Sequence, residues 1–97
     1  MLPYILLMKL TDQGIKDIKN VGEGIEEGIK VWGAMGGKFI GFYAVIGEYD
    51  YVAIGEAPSD QAAMTFALRL SSQGNVRTTT LKAFTREEFA EIIKKLP

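Results

Sequence analysis

An aspartate flanked by two tyrosines, Tyr49-Asp50-Tyr51, follows the pair Gly47-Glu48 in a stretch that is otherwise apolar. A carboxylate in such surroundings needs a donor to stay ionised. Tyr43 on the preceding run and Arg77 further along could supply one. Arg77 is the better group for grasping a carboxylate or enol, because its guanidinium binds with two parallel donors. Asp50, Tyr43 and Arg77 are therefore the candidate ligand-binding residues, expected between a sheet and its covering helices. Asp50 would serve there as a binding or acid/base group. It has a competing role as a turn-proximal acid hydrogen-bonded to backbone, a common use of aspartate near hairpin ends. Glu56, just before Ala57-Pro58, is a candidate to hold the start of the following helix or a basic partner, the first being the ordinary use of such an acid. Lys82 falls on the opposite face of its strand from Arg77, so the two cannot share a pocket.

The residue types that are missing narrow the chemistry further. The 97 residues include no cysteine and no histidine. That removes disulfides, thiolate nucleophiles, sulfur-ligated metal and the commonest general base near neutral pH. Neither a metal nor a cofactor is implied, and no catalytic residue is assigned. Eleven basic and 12 acidic residues give a net charge of -1, which argues against a nucleic-acid partner. The apolar start "MLPYILLMKL" is short, lacks a basic leader and contains a proline, so it reads as neither a signal peptide nor a membrane span. A cytoplasmic protein of one domain, residues 1–97, is the expectation.

The elements that must position these groups follow from periodicity. Residues 4–10 form a continuous apolar run and predict a buried strand. Thr11 is an N-cap candidate for a helix whose stripe is Ile15, Ile18, Val21, Ile25, Ile29 and Trp32, ending at Gly36-Gly37. Gly22, Gly24 and Gly28 on that helix suggest close approach to a neighbour. "GEGIEEG" is a poor dinucleotide fingerprint, because its glycines are misplaced and its glutamates would repel a phosphate. Residues 38–46 and 49–57 predict a hairpin turning at Gly47-Glu48. Its register sets Ala44 opposite Tyr51, Phe42 opposite Ala53, Gly41 opposite Ile54 and Ile40 opposite Gly55. Ser59 opens a helix burying Ala63, Phe66, Ala67 and Leu70, closed by Gly74. Residues 75–84 predict an edge strand. Thr85 and Glu88 form a capping box for a last helix bearing Phe89, Ile92, Ile93 and Leu96.

The order β-α-β-β-α-β plus a helix predicts an α+β, ferredoxin-like fold with a four-stranded antiparallel sheet. Helices cover one face of such a sheet, yet both faces are apolar. Ile40, Phe42, Ile46, Tyr49 and Tyr51 lie on one side of the hairpin, and Phe39, Tyr43, Val45, Val52 and Ile54 on the other. The first strand repeats this, with Tyr4, Leu6 and Met8 opposed to Ile5 and Leu7. The uncovered side would expose apolar surface on the order of 500 Å², enough to mark an interaction site. A second copy is the simplest cover, giving a homodimer, or a higher oligomer of dimers, built as a dimeric α/β barrel.

Residues 47–84, through Tyr49-Asp50, the "EAPSD" turn and "GNVRTTTLKAF", resemble the GYD-domain family of small bacterial and archaeal proteins. Here Glu48 separates Gly47 from Tyr49-Asp50, so the namesake tripeptide is interrupted. The resemblance implies a dimeric α/β-barrel fold and no particular reaction. Two functions are then expected as alternatives. One is a non-catalytic homo-oligomeric module with a possible small-molecule ligand. The other is a cofactor-independent isomerase or oxygenase of a small acidic or phenolic compound.

Overall fold

The computed structural model describes residues 1–97. Strand β1 (Leu2–Leu10) leads through Thr11 into a short helix α1 (Asp12–Lys16) and a 3₁₀ turn, Ile18–Asn20, before helix α2 (Val21–Ala34). Strands β2 (Lys38–Ala44) and β3 (Tyr51–Ala57) form the hairpin, followed by helix α3 (Asp60–Ser72), strand β4 (Val76–Lys82) and helix α4 (Arg86–Lys94). The four strands make one sheet in the order β2-β3-β1-β4, antiparallel throughout. This is the ferredoxin-like α+β arrangement, with β2 and β4 on its edges.

Capping chemistry sets most boundaries. The Thr11 and Ser59 side chains accept from the Gly14 and Ala62 amides at 3.1 Å each. At α4 the Thr85 amide donates to Glu88 Oε1 at 2.8 Å and the Glu88 amide to Thr85 Oγ1 at 3.1 Å, a reciprocal box. Gly74 takes the left-handed conformation after α3, with φ 83°. The single helix expected from Thr11 to Gly36 is instead broken at Asp17. Thr11 and Gly14 are held against the α3–β4 turn, where the Thr11 amide donates to the Asn75 carbonyl at 3.0 Å. That anchor detaches Ile15 and Ile18 from the stripe, leaving both exposed, and packing resumes at Val21.

The hairpin keeps three of its four expected pairings: Ala44 with Tyr51, Phe42 with Ala53, and Gly41 with Ile54. A bulge at Ile40 corrects the fourth, so Phe39 pairs with Gly55. The extra residue turns Phe39 toward the helices with Phe42 and leaves Ile40 exposed. Gly47 has φ 136°, a conformation open to glycine but strained for side chains. Glu48 contributes only an exposed ion pair to Lys9 at 3.7 Å. Gly47→Val is therefore expected to cost about 1–3 kcal/mol, and Glu48→Ala less than about 1 kcal/mol. Equal urea midpoints for the two variants would contradict this placement of the turn.

Tyr4, Leu6, Met8, Trp32, Tyr51, Ala57, Ala63, Phe66 and Val76 form the core between the helices and one sheet face. Trp32 meets Phe66 edge-to-face, with ring centroids 4.9 Å apart. The Nε1 edge of its indole sits close to backbone: a Cβ on Gly55 would come within 2.8 Å of Nε1. The other sheet face carries Ile5, Leu7, Val52 and Ile54, each half-buried, and none of α4 is buried. No helix is long and apolar enough to cross a membrane.

Candidate functional site

Asp50 is fixed by three hydrogen bonds at the end of β1. Its amide donates to the Met8 carbonyl at 2.9 Å, its carbonyl accepts from the Val45 amide at 2.9 Å, and its Oδ2 accepts from the Leu10 amide at 2.8 Å. The donor that meets this carboxylate is thus backbone, neither Tyr43 nor Arg77. Tyr51, next to it, has its phenol pushed up by burial and then by the charge of Asp50. Asp50→Ala would strand the Leu10 N–H, at a cost of about 1–3 kcal/mol. Asp50→Asn keeps an acceptor and is expected to unfold near the wild-type midpoint. A denaturation curve in which the two variants coincide would remove the backbone role.

Tyr43 pairs with Val52 on edge strand β2, and Arg77 with Lys9 on the opposite edge strand β4. Two strands lie between them and their registers differ by two residues, so their backbones stand about 16 Å apart. Alternation puts both on the helix-free face, and neither lines the space between sheet and helices. The expected convergence of Asp50, Tyr43 and Arg77 in that space is therefore not what the structure places there. Glu56, opposite Pro3 and Lys38, also points away from α3; the acid at that helix start is Asp60.

A polar cluster that sequence reasoning missed does lie on the helix side. The Tyr4 hydroxyl donates to Asp60, and Lys82 Nζ donates to Asp60 Oδ2 at 3.2 Å. Burial first, then the hydrogen bond and charge of Asp60, push the Tyr4 phenol up to about 12. The Tyr4 and Lys82 hydrogen bonds hold the Asp60 carboxyl below its ordinary value. An unfolded tyrosine titrates near pH 10 and an aspartic acid near pH 4. The contribution of neutral Tyr4 is thus complete below about pH 10 and is lost as pH rises through about 12. That of ionised Asp60 is present above about pH 4 and is lost as pH falls through its lowered value. Tyr4→Phe is expected to flatten the alkaline limb of the thermal midpoint above about pH 10. A limb as steep as the wild type's would show that Tyr4 does not titrate with unfolding.

Between α2 and the sheet lies a cavity of about 330 Å³. Leu6, Met8, Tyr51 and Ala53 floor it, and Trp32 and Phe66 wall it. Gly24 and Gly28 face it from α2, and a Cβ on either would meet no atom within 4 Å. These glycines therefore do not serve the close approach expected of them; they leave room. Asp17, Asn20, Glu23, Gln73 and Asn75 also line the cavity, and no lysine or arginine does. No group of three acidic side chains is placed to hold a metal ion.

Comparison with known proteins agrees with this architecture. The family model described as the GYD domain matches residues 4–93. The chain is 33% identical over 94 residues to a Thermus thermophilus protein named glutamine synthetase and cystathionine beta-lyase binding protein, covering 96% of each chain. Its fold is similar to the crystal structure of the leucine response regulatory protein of Mycobacterium tuberculosis, with a TM-score of 0.57 and 18% identity. That match takes in 87% of this chain and 51% of the regulator, so the chain spans about half the regulator's length.

Proposed function

The chain belongs to the GYD domain family, and from that premise we propose that it is a non-catalytic, homo-oligomeric binding module of the cytoplasm that docks on a metabolic enzyme. The observation that carries this reading is the helix-free sheet face. Ile5, Leu7, Val52 and Ile54 run across its two central strands, with Tyr43 and Leu81 on the flanking edges. Only 12 of 97 residues are buried within one chain, little for a domain that must offset its chain entropy alone. A second copy is the fitting cover, because a two-fold axis sets this apolar face against itself. Burying about 500 Å² per chain removes on the order of 12 kcal/mol of apolar exposure before association costs. Exposed Phe89, Ile92, Ile93 and Leu96 on α4 extend the apolar surface beyond the sheet.

The enzyme partner is supported by the Thermus thermophilus relative, whose name states that it binds glutamine synthetase and cystathionine beta-lyase. The cavity under α2 is the place for a small-molecule ligand in the same module. Sedimentation at micromolar concentration should show a dimer or a multiple of dimers. Titration calorimetry against purified glutamine synthetase and cystathionine beta-lyase from the same organism should show saturable binding to at least one. A stable folded monomer would remove the oligomeric half of the reading, and two flat titrations would remove the docking half.

A further inference from the structure

We propose that the cavity under α2 takes a single-ring or short aliphatic molecule with an amine or other hydrogen-bond donor at its polar end, and discriminates against carboxylates. This deepens the small-molecule part of the binding-module reading and rests on it. The size argument comes from volume. Ligand pockets run from about 300 to 1,000 Å³, and this one, at about 330 Å³, sits at the small end. The room is made by residue choice: α2 carries glycine at positions 24 and 28, where an added Cβ would meet no atom within 4 Å. Glycine weakens a helix relative to alanine, so the space is kept at a cost in helix stability.

The polarity argument comes from which side chains line the two ends. Trp32 lies near the C-terminal end of α2, against Gly55 of β3. Asp17, Asn20 and Glu23 lie at the N-terminal end, about 16 Å away along the helix axis. Gln73 and Asn75 join them from the α3–β4 turn. A single-ring body thus fits the apolar lining between the two ends, with its polar group turned to the N-terminal one. That polar end holds two carboxylates and three amides, with no cation among the lining residues. The partial positive charge of the α2 N-terminus, about half a unit, is outweighed by the two full charges of Asp17 and Glu23. Asn20 Nδ2 already donates to Asp17 Oδ1 at 2.6 Å, and Gln13 Nε2 to Asn75 Oδ1 at 2.9 Å. The first bond ties one Asn20 amide hydrogen to a carboxylate and the second occupies the Asn75 acceptor, so the preference for a donor rests on the carboxylates of Asp17 and Glu23.

The test is calorimetric titration of the intact oligomer with three matched probes: 2-phenylethylamine, 2-phenylethanol and phenylacetate. The amine is expected to bind at least tenfold more tightly than phenylacetate, with the alcohol between them. Asp17→Asn combined with Glu23→Gln should bring amine and alcohol to within about twofold. Gly28→Leu, which grows a side chain into the cavity, should abolish binding of all three. Should that variant fail to fold, Gly24→Ala with Gly28→Ala narrows the same space while favouring the helix, and at least a tenfold loss is expected. Tightest binding of phenylacetate overturns the inference. So does absence of binding by all three probes, or binding that survives the filled cavity. Sedimentation and enzyme titrations on the same samples keep the two failures apart, since an unoccupied cavity leaves oligomer and docking intact.

Discussion

Gly14→Ala is expected to lower stability by about 3 kcal/mol or more, at the upper range of overpacking penalties. The added Cβ would lie 2.1 Å from the Asn75 carbonyl oxygen, where no atom can be accommodated, and 3.0 Å from Leu10 Cδ2. Backbone cannot swing aside as a side-chain tip does, and this backbone is tied down. The same Asn75 oxygen accepts from the Thr11 amide at 3.0 Å, while Gln13 Nε2 donates to the Gln73 carbonyl at 3.0 Å. Relieving the clash therefore means pulling α1 off the α3–β4 turn and breaking those bonds together. Gly22→Ala is the control, because a Cβ there meets nothing within 4 Å. It should be neutral or stabilise by up to about 1 kcal/mol. Urea midpoints measured side by side decide the matter, and a Gly14→Ala midpoint at the wild-type value would refute the packing described.

The second large effect is expected from Leu7→Asp. Leu7 lies on central strand β1, between Val52 on one side and Thr79 on the other, on the face without helices. In a free monomer the new carboxylate would stay hydrated and cost little. At the centre of a sheet-to-sheet interface it would be an unpaired buried charge, worth several kcal/mol. About 3 kcal/mol against association corresponds to more than a hundredfold weaker dimerisation. Sedimentation should therefore show a monomer, or loss of folded protein, at concentrations where the wild type is oligomeric. A variant that sediments like the wild type would leave that face open to water and would remove the proposed barrel.

How far these features can be read ahead of the structure depends on the range of the interactions that create them. Caps at Thr11, Ser59 and Thr85 are legible because each bond spans three residues. Strand order follows from the alternation of element types and from the apolar run 4–10. The bulge at Ile40 is hidden because "KFIGFYAVI" is apolar at successive positions, so a one-residue slip leaves no polar residue on the wrong side. The break at Asp17 is hidden for a related reason: Ile15 and Ile18 keep the helical spacing, while a contact with Asn75 decides otherwise. Tyr4 and Asp60 are 56 residues apart, and each alone reads as an ordinary core aromatic and an ordinary helix-start acid. Asp50 is legible as a residue of interest, and its hairpin-corner role is the one the backbone bonds support. The cavity is the hardest feature to foresee. A helical glycine permits either contact or space, and only the third dimension separates them.

The chain contains one tryptophan, and it stands in the cavity wall. Trp32 is 4% exposed, its Nε1 has no hydrogen-bond partner, and its ring is pinned between Phe66 and the backbone at Gly37 and Gly55. The molecule thus carries a built-in optical reporter with no second emitter of its kind to dilute the signal. Its emission should be blue-shifted in the folded state and should respond when water or a ligand enters beside the indole. Filling of the cavity and opening of the core could then be followed as separate spectral events in unlabelled protein.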